Sequence, residues 1–140
     1  MARHWVLKTE PSEYGYSDLV RERRTRWEGV SNPVALRHLR SMEEGDEALI
    51  YHTGKEKAIV GLARIASAPY PDPRDAKLVV VDVEPLKPLP EAVPLPAIRA
   101  EPSFADLGLV RMPRLSVVPV EPAQWKRLLA MGGIQANASP

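Results

Sequence analysis

The chain has no cysteine, which excludes disulfides, thiol nucleophiles and thiolate metal sites. No apolar run nears the roughly 20 residues a membrane-spanning helix needs, so no membrane partner is expected. Histidine is scarce: His4, His38 and His52 lack the close spacing of a metal motif, and neither metal nor other cofactor is expected. The first eight residues turn polar too soon for the apolar stretch of a signal peptide, and a cytoplasmic protein of a prokaryote fits these absences. Net charge is nearly lacking too, at +1, so total charge gives no sign of a polyanionic partner.

The distribution of charge says more than the sum. Residues 1–40 carry eight basic and five acidic side chains, a balance of +3, which leaves −2 for the remainder. The basic ones near the start are Arg21, Arg23, Arg24, Arg26, Arg37 and Arg40, candidates for contacts with phosphates. With 140 residues, 44% of them hydrophobic, the chain suits one domain, expected over 1–133, with 134–140 as a flexible tail.

Local patterns predict strands separated by short helices. Trp5-Val6-Leu7 reads as a strand stopped at Pro11, Ser17 as the N-cap of a short helix through Val20, and Thr25 to Val30 as extended. Asn32-Pro33 predicts a helix start, with Ala35, Leu36, Leu39 and Met42 on one apolar stripe and Gly45 at its end. Residues 48–52 and 58–66 flank a polar, glycine-containing turn, as in a hairpin. Leu78 to Val83 is a further strand. Pro69, Pro71 and Pro73 predict an irregular loop, and Pro85, Pro88 and Pro90 a surface crossing. Short helical turns are expected at 95–100 and 103–107, the latter opened by Ser103 and Asp106. A last strand at 115–118 precedes a helix from Glu121-Pro122 to Gly132. The sum is α+β: a small, partly open barrel or curled mixed sheet of about five or six strands ringed by short helices.

Four segments combine polar groups with rings or strand ends, as a site for a flat, hydrogen-bonding ligand requires. Lys8, Thr9, Glu10 and Ser12 cluster at the first strand's end. Trp27 offers a ring for stacking, and Asn32 with the following helix start offers donors for a base edge or phosphate. Tyr51 and His52 alternate across a strand, so one faces the core and the other the site. Arg114 and Ser116 form a fourth element. Trp5 and Trp125 are assigned to the core.

These stretches resemble the EVE domain in order and spacing. The resemblance rests on Trp5-x-x-Lys8-Thr9-Glu10-Pro11-Ser12, Trp27-Glu28-Gly29-Val30-x-Asn32, Tyr51-His52-Thr53-Gly54-Lys55-Glu56, Ile59-Val60-Gly61, Tyr70-Pro71-Asp72 and Arg114-Leu115-Ser116-Val117, across residues 3 to 133. It implies a PUA-like barrel, related to the YTH readers of methylated adenine, that recognises a modified base in DNA or RNA without chemistry. The base pocket it implies uses Lys8, Thr9, Glu10, Trp27, Asn32, Tyr51, His52 and Arg114. Thr9 departs from the serine more usual there; its extra methyl narrows the pocket.

The expected mechanism is capture of a flipped or unpaired base, stacked on Trp27 and read by the Lys8 to Ser12 turn and Asn32, with arginines on the phosphates. No catalytic residue is assigned, and any effector would be a separate protein. Two other functions compete. Lys8, Thr9 and Glu10 supply an amine, a hydroxyl and a carboxylate, groups a hydrolase could use, and the resemblance to PUA-like relatives of the ASCH type implies a small amidohydrolase acting on acylated nucleosides. The proline-rich loop and arginine-rich face would suit a protein-interaction module.

Overall fold

The computed structural model describes residues 3–134; the part of the expected tail at 135–140 lies outside the described residues. Among the described residues seven strands form one mixed sheet. In chain order they are β1 (His4–Thr9), β2 (Thr25–Trp27), β3 (Glu47–His52), β4 (Ala58–Ile65), β5 (Tyr70–Asp72), β6 (Asp75–Pro94) and β7 (Val117–Val120). Six follow the order β2-β6-β4-β3-β1-β7, and β5 hooks onto β6 as a hairpin. The sheet curls into a half-barrel of the PUA-like kind. Among the described strands only β1 and β3 run parallel, with Lys8 opposite Tyr51 and Thr9 opposite His52.

Five α-helices of the described residues pack around it: α1 (Tyr16–Glu22), α2 (Pro33–Ser41), α3 (Leu95–Arg99), α4 (Gly108–Arg111) and α5 (Pro122–Met131). The best-marked start is that of α2, where Asn32 Oδ1 accepts from the N–H groups of Val34 (2.9 Å) and Ala35 (3.1 Å) and Pro33 fills the first turn. Its buried residues, Ala35, Leu36 and Leu39, are those of the expected stripe, and the helix packs on β6 and β7. Trp5, Leu7, Leu49, Ile59, Phe104 and Trp125 are among the buried core residues.

Several local expectations are corrected. The first helix is capped from Gly15, with Asp18 Oδ2 accepting from the Gly15 N–H (2.7 Å), and not by Ser17. Asp106 does not cap a helix with Ser103; its carboxylate accepts from Gln124 Nε2. The proline loop at 69–73 includes strand β5. Pro85, Pro88 and Pro90 lie inside the 20-residue β6. Proline lacks a ladder N–H, but beyond Val83 β6 has lost its partner β2 and pairs on one side only, with β4. Register shifts between Ile59 and Gly61 and between Leu62 and Ala63 absorb the irregularity and bend the strand.

Candidate functional site

The C-terminal ends of β1 and β3 meet beside α1 and the 112–116 segment, and strand alternation there sends neighbouring side chains to opposite faces. Lys8 and Tyr51 share one face: Lys8 Nζ lies 5.7 Å from the Tyr51 ring centroid and donates to the Pro113 carbonyl (2.8 Å). Thr9 and His52 share the other. Thr9 Oγ1 donates to the Tyr14 carbonyl (2.7 Å), and His52 Nε2 accepts from the Tyr16 N–H (3.0 Å). Glu10 goes a third way, accepting from the N–H and hydroxyl of Ser12, both at 3.1 Å. The amine, hydroxyl and carboxylate of residues 8–10 therefore engage three separate partners, and no lysine stands against the Thr9 hydroxyl.

The Thr9 face opens into a cavity of about 350 Å³ lined by Thr9, Tyr14, Glu22, Thr25, Arg26, Trp27 and Glu28. Two rings form its aromatic corner, Tyr14 meeting Trp27 edge-on at 6.3 Å and 86°. Trp27 is 6% exposed, whereas Tyr14 is half-buried and offers the more open ring. Burial pushes the Tyr14 phenol up to about 12, so it stays protonated, and its hydroxyl donates a hydrogen bond to Glu22 Oε1 (2.8 Å). Glu28 pairs with Arg74 (2.7 Å) and, more loosely, with Arg26 (3.7 Å). The wall thus sets carboxylates and hydroxyls, with the Arg26 guanidinium among them, next to rings, a set that can accept hydrogen bonds from a flat ligand.

Asn32 and Arg114 meet elsewhere, in a shallower cavity of about 360 Å³ completed by Val34, Met112, Pro113 and Leu115. Asn32 spends its side-chain oxygen on the α2 cap. Ser116 contributes a backbone carbonyl, which accepts from the Lys8 N–H (3.0 Å). On the Lys8 face lies a third cavity, of about 230 Å³, which includes Tyr51. Of the residues expected to make one pocket, Thr9 and Trp27, Asn32 and Arg114, and Lys8 and Tyr51 thus line three separate cavities, while Glu10, Ser12, Ser116 and the buried His52 line none of them.

The arginines divide in a similar way. Arg24 is held by Asp82 (2.9 Å), Glu84 (3.2 Å) and the Ala66 carbonyl, Arg21 pairs with Asp18, and Arg26 faces Glu28. Arg23 closes α1 with left-handed backbone, φ 70°. Among the described residues Arg23, Arg37, Arg40 and Arg114 make no ion pair, and all four are exposed. Four residues of the 350 Å³ cavity, Tyr14, Glu22, Thr25 and Glu28, were not singled out from sequence. Glu28 stood inside the Trp27-Glu28-Gly29 motif; the other three had no signal, because Tyr14 comes from the turn before α1, Glu22 from the end of α1 and Thr25 from the start of β2.

A curled mixed sheet with a ring-lined polar cavity at the end of its parallel strand pair places the chain in the PUA-like class. The family model for the EVE domain matches residues 3–131, and the chain belongs to that family. Human thymocyte nuclear protein 1 is 36% identical over 84 residues, which is 51% of this chain; the match spans about a third of that protein's length, 37%. An NMR structure of a Rhodopseudomonas palustris protein is 40% identical, with TM-score 0.92, over 99% of both chains. Human thymocyte nuclear protein 1 in complex with DNA containing 5-methylcytosine shares the fold, with TM-score 0.86 and 24% identity over 94% of this chain and 98% of that one.

Proposed function

We propose that the protein reads nucleic acid by taking one modified base into the cavity between Thr9, Tyr14 and Trp27. The observation that carries this is the wall composition: two rings beside Glu22, Glu28, Thr25 and Arg26, in about 350 Å³. Carboxylates pair with the exocyclic amino group of a base such as cytosine, whose N4 donates. The DNA complex of human thymocyte nuclear protein 1 supports a methylated cytosine as the first ligand to try. The base leaves its stack at a cost of a few kcal/mol, unless it is already unpaired, and ring contacts return about 1–3 kcal/mol. Arg37, Arg40 and Arg114, free of ion pairs among the described residues, would meet the phosphates; Arg24 is already neutralised.

The test is tryptophan fluorescence titration with a panel of modified and unmodified nucleosides. Saturable quenching by a modified nucleoside, weakened roughly 5- to 150-fold in Tyr14→Ala, is the expected outcome. A Tyr14→Ala protein that folds and binds as tightly as the wild type would remove the cavity from the mechanism.

A further inference from the structure

The cavity on the Lys8 face has a composition opposite to that of the base cavity. Lys8, Lys57 and Arg99 converge on about 230 Å³ together with Tyr51, Thr53 and Gly54, and no carboxylate is in its lining. Three elements bring the cations together: β1 carries Lys8, the β3–β4 turn carries Lys57, and Arg99 ends α3. A backbone bond from the Leu95 N–H to the Lys57 carbonyl (2.9 Å) fixes the turn against α3. None of the three makes an ion pair among the described residues, and Lys8 has only the neutral Pro113 carbonyl. Glu10, which packs beside Gly54, is engaged by Ser12.

Lys8 is half-buried while Lys57 and Arg99 are exposed, and cations gathered around a partly enclosed space with no carboxylate in its lining favour an anion. Burial alone lowers the Lys8 pKa, with no carboxylate offsetting it. The small volume and the forked guanidinium of Arg99 suit a tetrahedral oxyanion, while the Thr53 hydroxyl already donates to the Thr9 carbonyl (3.3 Å).

We propose that this cavity is a phosphoryl-binding site, formed by Lys8, Lys57 and Arg99. The group it takes is a nucleic-acid backbone phosphate or the phosphate of a free nucleotide. It lies on the sheet face away from Thr9, and its existence does not depend on the base-reading proposal; only the identity of its phosphate as part of a bound strand rests on that reading.

The experiment has two arms, run on wild type, on Lys57→Asn with Arg99→Gln, and on Lys77→Gln as a charge control. Asparagine is used at 57 because the backbone there is left-handed, φ 47°. In the first arm, inorganic phosphate is titrated while amide NMR signals are followed. Saturable shifts at Thr53 and Gly54, lost in the double variant and kept in Lys77→Gln, are expected. In the second arm, a single-stranded oligonucleotide carrying 5-methylcytosine is titrated at several salt concentrations. The double variant is expected to lose about 0.7 from the slope of log K against log salt, with 5-methylcytidine nucleoside binding unchanged.

Phosphate shifts with an unaltered oligonucleotide slope would assign the site to a free nucleotide. Phosphate shifts with no base or oligonucleotide binding would sink the base-reading proposal and leave this one standing. Absence of both the shifts and the slope change would overturn it.

Discussion

His52 is tied into the framework by both ring nitrogens. Nε2 accepts from the Tyr16 N–H at 3.0 Å, which assigns the ring proton to Nδ1, placed 2.7 Å from Glu56 Oε1. Glutamine can put an acceptor where Nε2 sits; phenylalanine cannot. His52→Phe should therefore lower unfolding free energy by about 1–3 kcal/mol, with a buried N–H left unpaired, and His52→Gln should lower it less. Urea unfolding of the two variants decides, and equal midpoints would refute the bond's importance. Asp46 is a second such residue. One percent exposed, it accepts from Trp5 Nε1 (3.0 Å) and from the N–H groups of Arg3 (2.9 Å) and Glu43 (3.0 Å). Asp46→Ala orphans the indole donor and should cost about 1–3 kcal/mol for that group alone, again read by urea unfolding.

At the scale of elements, α1 is seated by a glycine. Tyr16 lies flat enough on β4 that a Cβ at Gly61 would come within 2.3 Å of its ring, and its hydroxyl donates to the Leu62 carbonyl (2.6 Å). Gly61→Ala must lift α1 and, with it, the Tyr14 wall. A loss of about 1–3 kcal/mol in stability, together with weakened nucleoside binding, is expected; Tyr16→Phe should cost less, about 0.5–1.5 kcal/mol. A Gly61→Ala protein with wild-type urea midpoint and affinity would show that α1 is not seated this way.

The same scale shows what was legible in the sequence. The α2 start, the β3–β4 hairpin and the α5 start were readable because cap, proline and stripe are local signals. The prolines of β6 hid a strand, because their tolerance depends on which neighbour is missing, a fact of sheet order. The motif residues around the site were visible, but their partition was not. Lys8 and Thr9 are adjacent in sequence yet serve different cavities, and Tyr14 and Arg99 join by contacts that only the parallel β1–β3 pairing and the seating of α1 and α3 create.

For the whole molecule, acid stability should come in two stages with different causes. Burial lowers the pKa of His4, which stacks on Trp125 at 4.4 Å, against an opposing pull from Glu47 and Asp46. Burial, aided by Arg37, also lowers that of His38. Both are depressed from 6.5, so below that value the unfolded chain takes up protons before the folded one does, and stability falls as pH drops from 6.5 through the folded values. The carboxylates act lower down. Asp18 is held below 3.8 by the Gly15 N–H and Arg21, and Asp72 by the Arg74 N–H. Burial pushes Asp82 up, but Tyr70 and Arg24 more than offset it. Each of the three contributes stability present above 3.8 that is lost as pH falls through its folded value. Thermal midpoints measured on wild type and on the His4→Phe, His38→Phe double variant separate the stages. The wild type should begin to fall near pH 6.5 and fall again below 3.8, whereas the double variant should stay level until the carboxylates titrate. A double variant that falls in step with the wild type from pH 6.5 would move the first stage away from the histidines.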